Sequence, residues 1–278
     1  MKTRYYLPQY FQEEFEALKN RKENFIYERT SYTRKLKTDS FTIFFTPDGR
    51  STDGVLSLIN KVRNSAKKYM SEHNTSLPDS KIFFLDLFNI PKSDDIITKV
   101  DITSAYWKQA IMDGIIDEDI NQYMLNLKAS EWNLVTKSFD ERPYTSKELK
   151  GIRLKALGSL ATRKEVEIYE KGIAIHWEII EQQTKEIYMN ICRSIDQMMR
   201  KCRTEVDECI FYYWDCMFVK KRFSNQVIDF FQNKNFECKT EDTNLSYDLI
   251  GTKGYLTSEV DGKMYLVSSE NRNLLKEI

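Results

Sequence analysis

Hydrophobic and polar positions repeat with two periods along this chain, and the change between them marks its elements. From Val55 to Met70 the apolar residues Val55, Leu58, Ile59, Val62 and Ala66 recur at helical spacing, while Lys61, Lys67 and Lys68 fall elsewhere. Residues 40–46, Ser-Phe-Thr-Ile-Phe-Phe-Thr, alternate like a strand and run into Pro47-Asp48-Gly49, a turn signal. Residues 81–90 read as a buried strand, and a soft boundary follows at residues 91–95. Ile96-Ile-Thr-Lys-Val-Asp101 is an apolar strand ending in an acid, with a helix expected from Thr103 to Gly114. A mixed pattern predicts a helix over residues 10–28. Thr145 and Glu148 form a capping box that opens a basic helix through about Lys164. A long helix is expected from about Trp177 to Cys202, with Ile180, Ile187, Ile191, Ile195 and Met198 as its stripe. Cys209 to Val219 reads as a strand–turn–strand hairpin with Asp215 near its tip. A helix at 225–233 and short strands around Tyr255 and Tyr265 complete the chain. This order predicts a mixed α+β fold with a mainly antiparallel sheet.

Composition adds limits. Charged residues make up 30% and hydrophobic residues 41%, so core material is ample. The 42 basic residues balance the 42 acidic ones, so a nucleic-acid surface has to be a local patch. The five cysteines are odd in number and include no C-x-x-C pair, which points to reduced thiols in a cytoplasmic protein without a zinc site. His73 and His176 lack ligand-rich neighbours and read as structural. No stretch has the length and apolarity of a membrane span, and the N-terminus has no apolar leader segment, so no membrane partner is expected.

Two segments carry candidate chemistry. Asp101-Ile-Thr-Ser-Ala-Tyr-Trp107 and Phe211-Tyr-Tyr-Trp-Asp-Cys-Met-Phe-Val219 each set one carboxylate at the edge of an apolar, aromatic run. Read alone, Asp101 is a helix N-cap and Asp215 a hairpin-turn acid. Brought side by side, two such acids can hold metal ions roughly 3.5–4 Å apart. One or two carboxylates suffice for Mg²⁺ when substrate phosphates fill the other positions. Between these segments, Lys147, Lys150 and Arg153 share one helical face that suits either a triphosphate or solvent. Residues 19–37 interleave Lys19, Arg21, Lys22, Arg29, Arg34, Lys35 and Lys37 with Phe25, Tyr27 and Tyr32, a pattern that fits a single strand or template overhang, or a solvated surface.

Asp-Ile-Thr-Ser-Ala-Tyr resembles motif A of family B DNA polymerases, Asp-x-x-Ser-Leu-Tyr-Pro, with Ala105 for leucine and Trp107 for proline. The resemblance implies that Asp101 binds metal and that Tyr106 packs under the sugar and excludes a 2′-hydroxyl. Asp215-Cys-Met-Phe-Val219 resembles the end of motif C, Tyr-Gly-Asp-Thr-Asp-Ser, which makes Asp215 the second metal ligand; Tyr213 stands where the first motif C aspartate would be. Gly158-Ser159-Leu160 is similar to the Asn-Ser-x of motif B, with Ala161 and Thr162 replacing its tyrosine and glycine. The motif lysine falls on Leu154, between Arg153 and Lys155. Lys150, Arg153, Lys155 and Ser159 are thereby implied to bind nucleotide. Lys253 and Tyr255, followed by Val260-Asp-Gly-Lys263, resemble the family's Lys-x-Tyr segment and are implied to hold the primer duplex, and Arg34, Lys35 and Lys37 are further DNA-binding candidates.

The resemblance covers roughly residues 96–265. It implies a polymerase palm backed by helices at 96–278, with reduced helical fingers inserted at about 103–165, and a small N-terminal region at 1–95 that contacts template. The implied activity is DNA-directed DNA synthesis, adding dNTPs to a primer 3′-hydroxyl with Mg²⁺ or Mn²⁺ on Asp101 and Asp215. Proofreading is not expected: Asp86 lacks an acid two residues on, because position 88 is Phe88. Little chain remains for a thumb, so a separate processivity, thumb or exonuclease subunit is a candidate partner. A reverse transcriptase is a nearby alternative, but its doubled aspartate needs an acid at Cys216 and its Leu-Pro-Gln-Gly segment does not lie between the motifs. A primase-like enzyme and a degenerate palm that binds DNA as a scaffold are the remaining alternatives.

Overall fold

The computed structural model describes residues 2–5, 8–30, 33–45, 53–73, 82, 85–87, 95–133, 138–250, 253–258 and 262–267. The first part of the chain forms β1 (Lys2–Tyr5), α1 (Pro8–Asn20), β2 (Phe25–Arg29), β3 (Arg34–Lys37), β4 (Thr42–Phe45), α2 (Asp53–Glu72) and β5 (Leu85–Leu87). The middle forms β6 (Ile97–Ile102), α3 (Ala105–Met112), α4 (Glu118–Leu125), β7 (Lys128–Asn133), β8 (Ser138–Pro143), α5 (Ser146–Gly158), β9 (Lys164–Glu170) and β10 (Ile173–Ile180). The last part forms α6 (Lys185–Glu205), β11 (Cys209–Tyr213), β12 (Cys216–Lys220), α7 (Ser224–Gln232), β13 (Cys238–Thr243), β14 (Leu245–Ile250), β15 (Lys253–Ser258) and β16 (Met264–Val267). The fold is mixed α+β. Among the described residues every strand pair is antiparallel except β1 with β4, which is parallel. Among the described residues no helix is long and apolar enough to cross a membrane.

The chain divides into two compact units, residues 1–76 with 111–189 and residues 77–110 with 190–278. The sequence suggests instead a cut at 95/96 with an insertion at about 103–165. The difference arises because β9 pairs with β2, so the N-terminal sheet takes its outer strands from beyond residue 160.

The first unit holds a six-stranded sheet in the order β1-β4-β3-β2-β9-β10. Helix α1 covers it: Phe11 and Leu18 pack with Phe25, Leu36, Ile43, Phe45 and Tyr169 in one cluster, in which Phe25 stacks on Tyr169 at 4.4 Å. A helical layer of α2, α4 and α5 completes this unit. The stripe Val55, Leu58, Ile59, Val62 and Ala66 is buried, as its spacing predicts. Asp117 caps α4 by accepting from the Ile120 N–H at 2.8 Å. Thr145 and Glu148 form the capping box of α5, and Arg142 braces the Glu148 carboxylate at 2.8 Å. The Arg142 guanidinium and the Thr145 backbone N–H and hydroxyl hold the Glu148 carboxyl down at about 2.

The second unit is built on a five-stranded antiparallel sheet, β13-β6-β12-β11-β5. Val100, Ile102, Met217, Val219, Cys209 and Tyr212 pack with Ile195, Met198, Met199 and Cys202 of α6 and Val227, Phe230 and Phe231 of α7. The alternate residues Ile97, Cys216 and Phe218 cluster instead with Leu245 of β14 and Leu256 of β15. Period-two alternation therefore gives this sheet two covered faces. A register shift between Cys209 and Phe211 places Ile210 and Phe211 in the same cluster.

Three predicted helices end elsewhere. The helix expected at 10–28 stops at Asn20, because Lys22 takes a left-handed φ of 57° and Phe25–Arg29 becomes a strand. The basic helix expected through Lys164 ends at Gly158, followed by a 3-10 turn at Ser159–Ala161 and then β9. The long helix expected from Trp177 begins at Lys185; Trp177 and Ile180 belong to β10, where sheet pairing with β9 outweighs the helical spacing. Ile187, Ile191, Ile195 and Met198 are buried along α6 as expected. The turn expected at 47–49 and most of the strand expected at 81–90 lie outside the described residues.

Lys171 and Gly172, with φ of 49° and 76°, form the two-residue turn joining β9 to β10, as type I′ hairpins require. The Gly172 N–H donates to the Glu23 carbonyl at 3.1 Å, and a Cβ at this position would sit 2.3 Å from the Lys19 carbonyl oxygen. Gly172→Ala should therefore lower stability by about 1–3 kcal/mol in urea unfolding. Glu148 gives a second prediction. Its folded pKa is depressed, so its cap contribution is complete above the ordinary carboxylate range and is lost as pH falls through about 2. An NMR titration should find the Glu148 carboxyl still ionised at a pH where exposed glutamates are protonated.

Candidate active site

The pairing of β6 with β12 sets the site. Cys216 is opposite Asp101, and the Ile102 N–H donates to the Asp215 carbonyl at 3.0 Å. Asp101 lies at the end of β6, and Asp215 sits in the two-residue turn between β11 and β12. Two acids separated by more than a hundred residues thus stand at one end of two adjacent strands. By the alternation of β6, Asp101 shares the face of Ile97 and Lys99, away from α6 and α7. Both aspartates are half-buried. Their charge is felt locally: burial pushes the Cys216 thiol well up, and Asp101 and Asp215 push it further. Burial and then Asp101 also push the Cys238 thiol up, to about 11. Cys216 therefore remains a neutral thiol beside the two acids.

The backbone on both sides of this pair is held in uncommon geometry. Ser104, three residues after Asp101, has φ of 55°, and Trp214, directly before Asp215, has φ of 57°. Left-handed non-glycine residues cluster at sites where the surrounding structure over-determines the backbone. Three aromatic rings frame the acids. Tyr106, in the first turn of α3, meets Trp214 at 6.5 Å and 70°, and Trp214 meets Tyr213 at 6.3 Å and 87°. Tyr213 and Trp214 are exposed, whereas Tyr106 packs partly into the core. One residue before this ladder, the buried Tyr212 hydroxyl donates to Asp196 of α6, which also accepts from Arg200 at 3.3 Å. That bond pins the hairpin to the helix behind it.

The predicted site residues divide between the units. Asp101, Asp215 and Tyr106 come together in the second unit, which also contains Lys253 and Tyr255 on β15. Tyr255 is half-buried; Val260 and Asp261 lie outside the described residues. Lys150, Arg153, Lys155 and Ser159 belong to the first unit, as do Arg34, Lys35 and Lys37 on β3. Lys150 is exposed and Lys155 half-buried on α5, and burial pulls the half-buried Arg153 guanidinium down from its ordinary value. Ser159 is buried, its hydroxyl donates to the Ala156 carbonyl at 2.6 Å, and its own carbonyl accepts from Arg63. In the 19–37 segment Phe25 is buried in the α1 cluster, and acids meet several of the bases: Lys19 with Glu16, Arg21 with Glu14 and Glu23, Arg29 with Glu165, and Lys35 with Glu28. Tyr32 lies outside the described residues.

One neighbour of the acids was not readable from sequence. Lys239 of β13 is opposite Asp101 on the side away from Cys216, so it shares the carboxylate's face. Its spacing carries no motif; only the β13–β6 register brings it there.

Carboxylate oxygens, such as those of this aspartate pair, are the hard donors that Mg²⁺ or Mn²⁺ takes, and the neutral Cys216 thiol is not one. Among the described residues no group of three or more His, Cys, Asp and Glu side chains gathers as a metal site. Such a pair alone leaves most of a metal's coordination to water and ligand oxygens. In comparison with known proteins, no protein-family model and no curated protein matches the chain.

The Tyr212–Asp196 bond can be tested without any activity. Tyr212→Phe leaves a buried carboxylate short of a donor, so it should cost about 1.5–3 kcal/mol in urea unfolding while leaving far-UV circular dichroism unchanged.

Proposed function

We propose that this chain is a nucleotidyltransferase of the family B DNA polymerase type, adding deoxynucleotides to a primer 3′-hydroxyl on a DNA template. The observation that carries the reading is the placement of Asp101 and Asp215 at the same end of the paired strands β6 and β12, with Tyr106 against the hairpin tip. On this reading the five-stranded sheet serves as a palm. Asp101 and Asp215 would hold Mg²⁺ or Mn²⁺, which when bound neutralises triphosphate charge and acidifies the attacking hydroxyl.

The remaining roles belong to side chains. Tyr106 meets Trp214, the residue before Asp215, and packs partly on the core; on this reading its ring gives a flat apolar contact under a deoxyribose. A 2′-hydroxyl in that contact would lose its hydrogen bonds to water. Lys239 offers a cation on the same face as Asp101, in reach of phosphate oxygens. Lys253 and Tyr255 on β15 are the proposed duplex contacts carried over from the resemblance. Ser159, a residue of the motif B match, is buried with its hydroxyl on the Ala156 carbonyl.

A second reading, a DNA-binding scaffold or one subunit of a split polymerase, is favoured by a specific observation. Tyr213 occupies the place of the first motif C acid, and it is exposed at the hairpin tip rather than replaced by another carboxylate.

Primer extension on a DNA template with Mg²⁺ or Mn²⁺ separates the two. The polymerase reading expects template-dependent extension that falls on the order of 10²–10⁴-fold in both Asp101→Asn and Asp215→Asn, the loss of several kcal/mol of charge stabilisation. Tyr106→Ala should retain extension but incorporate ribonucleotides more readily, and Tyr106→Phe should not. DNA binding without extension, in the wild type as in the variants, would favour the scaffold or split-subunit reading.

A further inference from the structure

Strand β10 closes one side of the six-stranded sheet, and among the described residues only β9 pairs with it. All eight of its residues are exposed. Six of them are apolar: Ile173, Ala174, Ile175, Trp177, Ile179 and Ile180. Ile173 is 68% exposed, Ile175 54% and Trp177 57%. An edge strand offers a row of backbone donors and acceptors to any other strand, and proteins ordinarily blunt such edges with lysine or proline. β10 has neither. One register shift lies between Ala174 and His176, and from His176 to Ile180 the strand is regular. The Lys171–Gly172 turn, tied to Glu23 and Asn24, fixes the start of this edge.

We propose that a second copy of this chain docks on β10, edge to edge and antiparallel, about a two-fold axis at Trp177. The two sheets then continue into one. The charge pattern of β10 selects both the occupant and the register. An axis perpendicular to the sheet preserves its faces, so each residue must pair with one on its own face. Within the regular stretch this leaves axes centred on residues 176 to 180; centring on Ile179 sets each Glu178 against an isoleucine, and centring on Ile180 pairs no other residue of the strand. Centring on His176 opposes the two histidines and carries each Glu178 onto the irregular stretch at Ala174–His176. Centring on Glu178 opposes two carboxylates, which destabilises a pair. Centring on Trp177 sets each His176 against the Glu178 of the other copy, two complementary pairs on one face. His176 and Glu178 already share that face within one strand, 3.9 Å apart. The opposite face then joins the two Trp177 rings, and Ile179 of each copy reaches the bulged Ile175 of the other. A sequence whose imidazole and carboxylate complement each other across the axis in a single register fits a second copy better than an unrelated strand. The closed two-fold contact consumes both edges and does not propagate.

Sedimentation equilibrium of the full chain over a range of concentrations tests this. The wild type should approach twice the chain mass of 33.0 kDa and no more. Trp177→Lys, which opposes two ammonium groups across the axis, should remain at the single-chain mass. His176→Glu turns both complementary pairs repulsive and should weaken dimerisation about tenfold or more. The double variant His176→Glu with Glu178→Lys restores opposite charges in this register and should recover the dimer. All of these positions are exposed, and circular dichroism checks that each variant folds. A wild type that stays at single-chain mass would overturn the proposal, as would assembly beyond two chains. A dimer indifferent to Trp177→Lys, or a double variant no tighter than His176→Glu, would overturn the edge or the register. None of these outcomes depends on catalytic activity.

Discussion

The pairing of β6 with β12 is the constraint on which the second unit depends. Neither strand carries chemistry alone: each is an apolar run with one acid at an end. Their antiparallel register, fixed by Cys216 opposite Asp101 and by the Ile102 N–H on the Asp215 carbonyl, turns two remote acids into neighbours. The alternation that buries Val100, Ile102, Met217 and Val219 against α6 and α7 also forces Asp101 to the other face. A one-residue slip would bury the carboxylate and expose the core, so the packing that stabilises the sheet also sets where the acid points.

Several features hold that arrangement in place. Tyr212 ties the hairpin to Asp196 on α6, and left-handed residues lie three positions after Asp101, at Ser104, and directly before Asp215, at Trp214. Burial keeps Cys216 a thiol, and the charges around it are the two carboxylates together with Lys99 and Lys263, with Lys239 opposite Asp101. The result is a pair of carboxylates among several lysines at the end of a paired sheet, next to the Tyr106, Trp214 and Tyr213 rings.

Much of this was legible in the chain. The stripe of α2, the capping box of α5, the β11–β12 hairpin and the strand ending in Asp101 all follow from local patterns of apolar, turn and capping residues. What was not legible depends on partners distant in sequence. Trp177 and Ile180 continue a helical spacing into α6, and only β9 across a two-residue turn makes them a strand. Phe25 and Tyr27 sit among basic residues in sequence, yet their rings serve the α1 core because β2 lies beneath that helix. Ser159 matches a motif by spacing, but the 3-10 turn after α5 points its hydroxyl inward. Lys239 reaches Asp101 through a strand register that no local signal encodes.

The central claim is that Asp101 and Asp215 act as one cation-binding pair that works with a nucleotide. Electron paramagnetic resonance of Mn²⁺ measures this directly, by titrating the free-ion signal with the protein in the presence of a deoxynucleoside triphosphate. The account predicts that the wild type sequesters Mn²⁺ beyond what the nucleotide alone binds, and that Asp101→Asn and Asp215→Asn each remove that excess. Binding left unchanged by both substitutions would contradict it, because the two carboxylates would then be neighbours without a shared ligand.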